Sequence, residues 1–308
     1  MQNSPQDLIL ITGATGAQGS ATLENLLKKG HHARAITRNP EKPSILTKLL
    51  QQYPSQLQVV KGDYDDPASL EAALSDVSGV FSVQIVNLKD EEAEVRQAKT
   101  LIDLAKKAGV KRFVHTSVSR AGEQENFKKW GTGYWSESYW TSKADIEKAV
   151  HEAGFEYYTI LKPAFMMDNF IPPKSLGMFP DLAKGEIVSV LKPETKLHLI
   201  AANDIGVVAC AAFENPEKFN KKVLELAAEA PTIQEISEVL SENLKKKIVI
   251  KPLSVEEAVQ RGQYLPLVRS YEWINEEGYN GNPEELKEYG INLISFAEWA
   301  KTWISSSS

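Results

Sequence analysis

Short, mainly apolar runs recur through the first half of the chain, and the first of them, which begins at Leu8, is unbroken. Unbroken runs of this kind are typical of parallel strands covered on both faces. The pattern predicts six strands, at residues 8–12, 33–37, 57–61, 79–83, 111–116 and 157–161. Pro163 is expected to cut off the sixth strand, because proline has no N–H to donate to a neighbour.

Segments with helical spacing separate several of these runs, at residues 17–29, 91–108 and 138–153. Strands that alternate with helices through short links predict an α/β fold built on a doubly wound parallel sheet. In such a sheet the carboxyl ends of the strands lie along one edge, where ligands bind. We therefore look for chemistry in the residues that follow each strand.

The pattern changes after residue 163, where prolines and aromatic residues become frequent. Helix signals persist at residues 204–213 and 232–244, and a strand signal persists at 223–226. We expect a first domain over residues 1–163 and a smaller α+β lobe over residues 164–308. A segment at about 197–228 is expected to return to the main sheet.

The junction between the first strand and the first helix carries glycines at positions 13, 16 and 19. Glycine lets the backbone approach a pyrophosphate, and the next helix directs its free N–H groups at the phosphates. An ordinary strand-to-helix turn needs one glycine rather than three at this spacing. The junction therefore predicts a dinucleotide site, formed by Gly13, Thr15, Gly16, Ala17, Gln18 and Gly19.

The residue at the end of the second strand distinguishes a site for NAD from a site for NADP. An acidic residue there binds the adenosine ribose of NAD, whereas an arginine accommodates the extra phosphate of NADP. The chain has Arg38 at this point and no acidic residue, and Lys42 adds a further positive charge. The first domain is therefore predicted to bind NADP (NADPH), with an ordinary surface arginine as the alternative reading of Arg38.

Acidic residues follow the third strand. Asp63 and Tyr64 are candidates for contact with the adenine, although Asp63 is equally compatible with a purely local role. Asp65 or Asp66 is expected to cap a helix that begins near Pro67. Asp204, in the later segment, is also expected to be a helix N-cap.

Charge and hydropathy exclude several classes of protein. The 308 residues carry 35 Lys and Arg against 41 Asp and Glu, a formal net charge of −6, and the lysine pairs are scattered. This weighs against direct nucleic-acid binding. No apolar stretch reaches the length of a membrane span, and residues 1–7 lack the features of a signal peptide. We expect a cytoplasmic protein with no membrane partner.

The chain has one cysteine, Cys210, so no internal disulfide can form. Its apolar neighbours in the sequence favour a buried hydrophobic side chain over a nucleophile. The five histidines show no spacing typical of metal ligands. The sequence therefore predicts no metal site.

Taken together, the motifs of this chain resemble those of the short-chain dehydrogenase/reductase superfamily and, within it, the atypical NmrA-like group. The resemblance covers nearly the whole chain and weakens beyond about residue 250. Its motifs are Thr12-Gly13-x-x-Gly16-x-x-Gly19, Arg38, the Gly62-Asp63 turn, Lys143, the stretch at 161–170 and the turn at 203–206. It implies a Rossmann domain, a small substrate lobe and NADP, with Pro163, Phe165 and Asn169 near the nicotinamide.

Tyr139 and Lys143 are four residues apart in a predicted helix, so both point to one face. The resemblance implies that the tyrosine is a general acid, that the lysine also binds the nicotinamide ribose, and that Ser117 steadies a substrate carbonyl. A nearby ammonium lowers the pKa of a phenol, which suits proton exchange. NmrA-like proteins often lack this tyrosine, so Tyr139 is either catalytic or one more aromatic in a packed cluster.

Two functions follow from the resemblance. The first is an NADP-dependent oxidoreductase that moves a hydride between the nicotinamide and a small apolar carbonyl or quinone. Aromatic residues in 127–140, with Phe165, Met166, Met167 and Phe170, either line an apolar substrate pocket or pack as core. The second is a non-catalytic NADP(H) sensor whose cofactor state changes its contact with a protein partner.

Overall fold

The computed structural model describes residues 7–87 and 89–307, with side chains as far as Trp303. The prediction that the N-terminal residues form no signal peptide lies, apart from Asp7, outside the described residues. In the two described ranges, no helix combines the length and the apolar character needed to cross a bilayer.

The described residues form strands of two to seven residues. They are β1 (Leu8–Ile11), β2 (His32–Thr37), β3 (Leu57–Lys61), β4 (Val77–Ser82), β5 (Arg112–Thr116), β6 (Tyr157–Pro163), β7 (Phe165–Met166), β8 (Glu186–Ser189), β9 (Leu199–Ile200), β10 (Lys222–Leu226) and β11 (Val249–Pro252). The six predicted strands are all present. Pro163 is the last residue of β6 rather than the residue that cuts the strand off, so β6 is longer than predicted.

Helices connect these strands. They are α1 (Ala17–Lys28), α2 (Ile45–Gln52), α3 (Pro67–Ala73), α4 (Ala93–Lys107), α5 (Glu137–Glu152), α6 (Ser175–Met178), α7 (Ala202–Glu214), α8 (Pro216–Phe219), α9 (Ile233–Leu244), α10 (Val255–Gln260), α11 (Leu265–Glu276), α12 (Pro283–Lys287) and α13 (Phe296–Ser307). Short 3-10 helices add Gln124–Asn126, Met167–Phe170 and Leu182–Lys184. The predicted N-cap at Asp204 is wrong, because α7 already begins at Ala202 and Asp204 lies within its first turn.

Seven strands form the main sheet in the order β10-β6-β5-β4-β1-β2-β3. Neighbouring strands from β3 to β6 run parallel, in the register expected of consecutive crossovers. The order reverses at β1, so the chain winds outward from there in both directions. The predicted fold class, a doubly wound Rossmann-type sheet, is confirmed.

Helices cover both faces of this sheet. On one face, Leu10 and Phe113 belong to a buried cluster with apolar residues of α3, α4 and α5. On the other face, α7 packs against α1 so closely that a Cβ on Gly206 would lie 2.6 Å from the backbone of Ala21. Burial on both faces explains the unbroken apolar run of β1, whose four residues are all buried.

The chain divides into two compact units. The first contains the chain up to Ala121, together with Thr141–Lys162 and Ala202–Leu224. The second contains Gly122–Trp140, Pro163–Ala201 and Glu225–Ser308. The central part of the predicted returning segment, Ala202–Leu224, therefore belongs to the first unit, while residues 197–201 and 225–228 belong to the second. Strand β10 lies at the edge of the main sheet beside β6. The segment that precedes α5 belongs to the second unit, although it lies within residues 1–163.

The second unit has an aromatic interior, and the rings of residues 122–140 are part of it, which explains why these residues belong to the second unit. Trp140 packs against Phe127 and Trp273, with ring centroids 5.0 and 4.7 Å apart. In a separate group, Phe170 stacks on Phe179 at 4.9 Å. Large rings of this kind supply most of the apolar area that a small unit buries.

Candidate functional site

At two positions of the turn between β1 and α1, steric contacts leave room for glycine only. Gly13 has φ +56°, and a Cβ there would lie 2.5 Å from Cγ1 of Val83. A Cβ on Gly19 would lie 2.2 Å from the carbonyl oxygen of Gly13. The turn is therefore pressed against both the start of α1 and the residue after β4. This is the close approach that a phosphate-binding turn requires.

The first turn of α1 has no side-chain cap. Gly16 is its N-cap residue, and no side chain among the described residues bonds to the helix start there. Thr15 and Gly16 are exposed, so the uncapped N–H groups open to the outside of the turn. An exposed and uncapped helix N-terminus attracts anions through its N–H groups and its dipole.

Hydrogen bonds tie the ends of β4 and β5 to this turn. The Thr12 hydroxyl donates to the carbonyl oxygen of Phe81 at 3.0 Å and accepts from the Val83 amide at 2.9 Å. The Thr116 hydroxyl donates to Oε1 of Gln18 at 2.6 Å. Gln18, predicted as a cofactor residue from its place in the motif, thus also links β5 to α1.

Arg38 and Lys42 are exposed cations just after β2. Among residues 7–87 and 89–307, neither side chain has a hydrogen bond or an ion pair with another residue. The guanidinium of Arg38 therefore has all its donors available at the carboxyl edge of the sheet. This is the condition that the predicted phosphate contact needs.

The segment after β3 forms a tight local turn. Asp66 caps α3 by accepting from the Ser69 amide, with Pro67 in the first turn, as predicted. Asp63 Oδ1 accepts from the Asp65 amide at 3.1 Å, which is the local role left open in the sequence. The Tyr64 hydroxyl donates to the carbonyl oxygen of Val83 at 2.8 Å. Burial raises the pKa of Tyr64, so its phenol stays neutral. The adenine contact of Asp63 and Tyr64 remains a prediction.

Lys143 on α5 forms a buried ion pair with Glu94 on α4. Lys143 is 8% exposed and Glu94 is 2% exposed. The ammonium of Lys143 donates to Oε1 of Glu94, while the Ser142 hydroxyl donates to Oε2 at 2.9 Å. Both oxygens of this carboxylate are therefore held by adjacent residues of α5.

A second buried pair lies one turn further along α5. Glu147 Oε2 is 3.0 Å from the ammonium of Lys162, which also donates to the carbonyl oxygen of Ala121 at 2.6 Å. The Ser117 hydroxyl donates to Oε1 of Glu147 at 2.5 Å. Burial raises the pKa of Glu147, and Lys162 and Ser117 oppose that rise. The proton of Ser117 is thus directed at Glu147, so the hydroxyl is an acceptor toward anything else.

His115, on β5, is a further buried polar group in this layer. Burial and the positive charge of Lys143 lower the pKa of His115 to about 3. Its Nδ1 lies 3.4 Å from the Ser82 hydroxyl, and its Nε2 has no partner among the described residues. The imidazole is therefore neutral at physiological pH.

The structure brings only some of the predicted site residues together. Tyr139 is half-buried in the first turn of α5, four residues before Lys143, as the spacing predicts. Its ring meets that of Trp140 edge-on at 5.3 Å. Pro163, Phe165 and Asn169 are all buried, and Phe165 packs toward the Phe170 ring at 5.8 Å. Their roles near a cofactor remain predictions.

The sequence analysis missed Glu94, Glu147 and Lys162. A signal was present for each, because each is a charged residue in an apolar pattern. Lys162 directly follows the apolar end, Ile160-Leu161, of the strand predicted at 157–161. Glu94 and Glu147 occupy the apolar face of their helices. A charge in such a position is almost always paired.

One group of potential metal ligands forms at the opposite edge of the sheet. His31, Cys210 and Glu214 place one donor atom each within 4.8 Å of one another. The carboxylate is already engaged by Lys29 at 2.6 Å and by His31 at 3.1 Å. Burial raises the pKa of Cys210 to about 11, which disfavours the thiolate that metals bind. The group is accounted for by these ion pairs, and the prediction of no metal site stands as a prediction.

The family model of the NmrA-like family matches residues 5–302. The chain belongs to the NmrA-like family. The resemblance stated from the motifs is thereby confirmed, and it extends past residue 250.

Relatives with catalytic and regulatory descriptions both match. The NAD(P)H azoreductase of Xenophilus azovorans is 28% identical over 305 residues, which cover 96% of this chain and 97% of the relative. The NADPH-dependent quinone oxidoreductase of Escherichia coli, solved with NADPH, is 22% identical with a TM-score of 0.72, covering 96% of this chain and 99% of that one. NmrA, a negative transcriptional regulator solved with NADP, is 18% identical with a TM-score of 0.74, covering 99% and 97%. At these identities the solved structures establish the shared fold.

Proposed function

We propose that this chain binds NADP(H) at the carboxyl edge of its main sheet. The glycine turn carries the proposal, because a Cβ on Gly19 would collide with the Gly13 carbonyl at 2.2 Å. The uncapped start of α1 suits the pyrophosphate, and the unpaired guanidinium of Arg38 suits the additional phosphate. The solved quinone oxidoreductase and NmrA were both crystallised with this dinucleotide.

We further propose that the protein is an oxidoreductase acting on a small conjugated acceptor of the quinone or azo class. When bound, NADPH supplies the hydride. The relatives named as an azoreductase and a quinone oxidoreductase support this class of acceptor. NmrA, a negative transcriptional regulator solved with NADP, supports the alternative function of a non-catalytic cofactor sensor.

In this proposal, Lys143 binds the ribose on the nicotinamide side and Tyr139 donates the proton to the reduced acceptor. The two side chains are on one helix, four residues apart, which places them on one face. In this proposal Ser117 has another role, because its hydroxyl donates to Glu147. We assign it to the support of α5 rather than to donation toward a substrate carbonyl.

Turnover of NADPH tests the enzyme proposal. The purified protein is incubated with a panel of benzoquinones, naphthoquinones, azo dyes and enones, and NADPH absorbance is followed. We expect oxidation that depends on at least one acceptor, with kcat falling about 100-fold in Tyr139→Phe. Trp130→Phe is the matched aromatic control and is expected to retain activity.

Each failure has a separate meaning. Full activity in Tyr139→Phe removes only the role of Tyr139. NADPH binding without oxidation by any acceptor in the panel contradicts the reductase and favours the sensor. In that case light scattering should show a change in association state between NADPH and NADP⁺.

A further inference from the structure

Two buried lysine–glutamate pairs meet α5, and only one contains a residue expected to touch the cofactor. Lys143 pairs with Glu94, whereas Lys162 pairs with Glu147. A buried pair contributes little net stability, because desolvation offsets the attraction between the charges. The question is therefore what the carboxylate of Glu94 does for Lys143.

The Lys143–Glu94 pair lies at the same edge of the sheet as the glycine turn. Helix α4 follows the end of β4, and Glu94 is in its first turn. Helix α5 follows the end of β5, and Lys143 is in its first half. The end of β4 is bound to the turn through Thr12, and the end of β5 is bound to the start of α1 through Thr116. The pair therefore belongs to the proposed cofactor edge.

The two buried ammonium groups of this layer each lie against a carboxylate. Lys143 pairs with Glu94 and Lys162 pairs with Glu147, while His115 is held neutral by burial. A cofactor ring beside Lys143 would therefore meet an ammonium whose charge Glu94 compensates. The oxidised nicotinamide is a cation and the reduced ring is neutral, so any net charge here would favour one redox form over the other.

We propose that Glu94 sets the preference of this protein between NADP⁺ and NADPH by neutralising Lys143. The proposal rests on the proposed cofactor site but not on catalysis. Glu94 touches no reacting atom, and it acts through Lys143 as a positioning and charge-balancing residue. The Ser142 hydroxyl supports it by holding the second carboxylate oxygen at 2.9 Å.

Removing Glu94 and removing Lys143 leave charges of opposite sign, so the two single variants are expected to shift the redox preference in opposite directions. Glu94→Gln leaves an unbalanced ammonium, which repels the oxidised ring, so the ratio of Kd for NADP⁺ to Kd for NADPH rises about fivefold. Lys143→Met leaves an unbalanced carboxylate, so the same ratio falls about fivefold. The double variant restores neutrality, and its ratio returns to within about twofold of the parent.

Binding is measured for NADPH, NADP⁺ and adenosine 2′,5′-bisphosphate with parent and variants at low salt and at two pH values. At pH 6.5 an unpartnered Lys143 stays charged, and at pH 9 an unpartnered Glu94 stays charged. The bisphosphate lacks the nicotinamide half, so its affinity should stay the same in all four proteins. Thermal unfolding checks that each variant is folded. If Glu94→Gln does not fold, Lys143→Met and the double variant still test the opposite shift.

The proposal is overturned if the ratio of Kd for NADP⁺ to Kd for NADPH is the same in all folded proteins. A loss of bisphosphate affinity that parallels the loss of dinucleotide affinity also overturns it, since that pattern indicates a purely structural role. A parent that binds none of the three ligands overturns the proposed cofactor site as well. A parent that binds NADPH without oxidising it affects only the reductase proposal, and the ratios still decide the role of Glu94.

Discussion

The two units bury different chemistry. The first unit places two lysine–glutamate pairs and a neutral histidine between its sheet and the helices α4 and α5. The second unit fills its interior with closely packed rings around Phe170 and Trp140. Rings stabilise a fold directly, whereas buried charges have to be compensated. The difference indicates that the first interior is shaped for a site and the second for packing.

The largest expected effect tests the aromatic interior. Phe170 is 2% exposed and contacts the rings of Phe179 and Phe296. Phe170→Ala should lower the free energy of unfolding by about 4 kcal/mol, as large-to-small changes in a core do. Phe170→Leu, the control, should cost about 1 kcal/mol. Chemical denaturation measures both. If Phe170→Ala keeps its stability but raises KM for an acceptor, this residue lines a pocket after all.

A buried pair in the first unit gives the contrasting test. Glu147→Ala leaves Lys162 buried without its partner and should lower the free energy of unfolding by about 3 kcal/mol. The double variant Glu147→Leu/Lys162→Met removes both charges and should regain most of that loss. A double variant no more stable than Glu147→Ala would show that the pair itself stabilises the unit, and the contrast would fail.

Acid sensitivity should differ between histidines of the two units. The pKa of His115 is lowered to about 3 in the native state, so the unfolded state binds a proton below about pH 6.5 that the native state does not. Stability is therefore complete above pH 6.5 and is lost as pH falls. Between pH 7 and pH 5 the loss is about 2 kcal/mol, and His115→Leu should remove it.

His198 of the second unit is the matched control. Burial also lowers the pKa of this half-buried histidine, but by less. His198→Gln should therefore change the acid sensitivity less than His115→Leu does. Denaturation curves collected from pH 7 to pH 5 decide the order, and equal effects would remove the distinction between the two interiors.

The smallest expected effect on stability concerns an exposed charge rather than an interior one. Arg38→Ala should weaken NADP⁺ binding by about 2 kcal/mol, since a guanidinium–phosphate contact is strong, and should leave NAD⁺ binding nearly unchanged. Its thermal stability should match that of the parent, because Arg38 is exposed. Lys42→Ala is the control for a general charge effect. Equal losses for both dinucleotides would contradict the phosphate contact.

Local pattern was enough to predict the sheet and the glycine turn. Each strand of the main sheet that is buried on both faces has to be apolar throughout, so its run is visible in the sequence. The turn is visible because Gly13 and Gly19 leave no room for a side chain. Constraints of this kind act within a few residues of chain, and they need no knowledge of the distant partner.

The buried charges depended on tertiary structure. Glu94 and Lys143 are 49 positions apart, and Ser117 and Glu147 are 30 apart, so no local pattern pairs them. The packing of α4 and α5 on the sheet brought them together, and it gave Ser117 a partner in Glu147 that the sequence did not indicate. Pairing is decided by which helix faces which strand, because the energy of a buried charge depends on its neighbours in space.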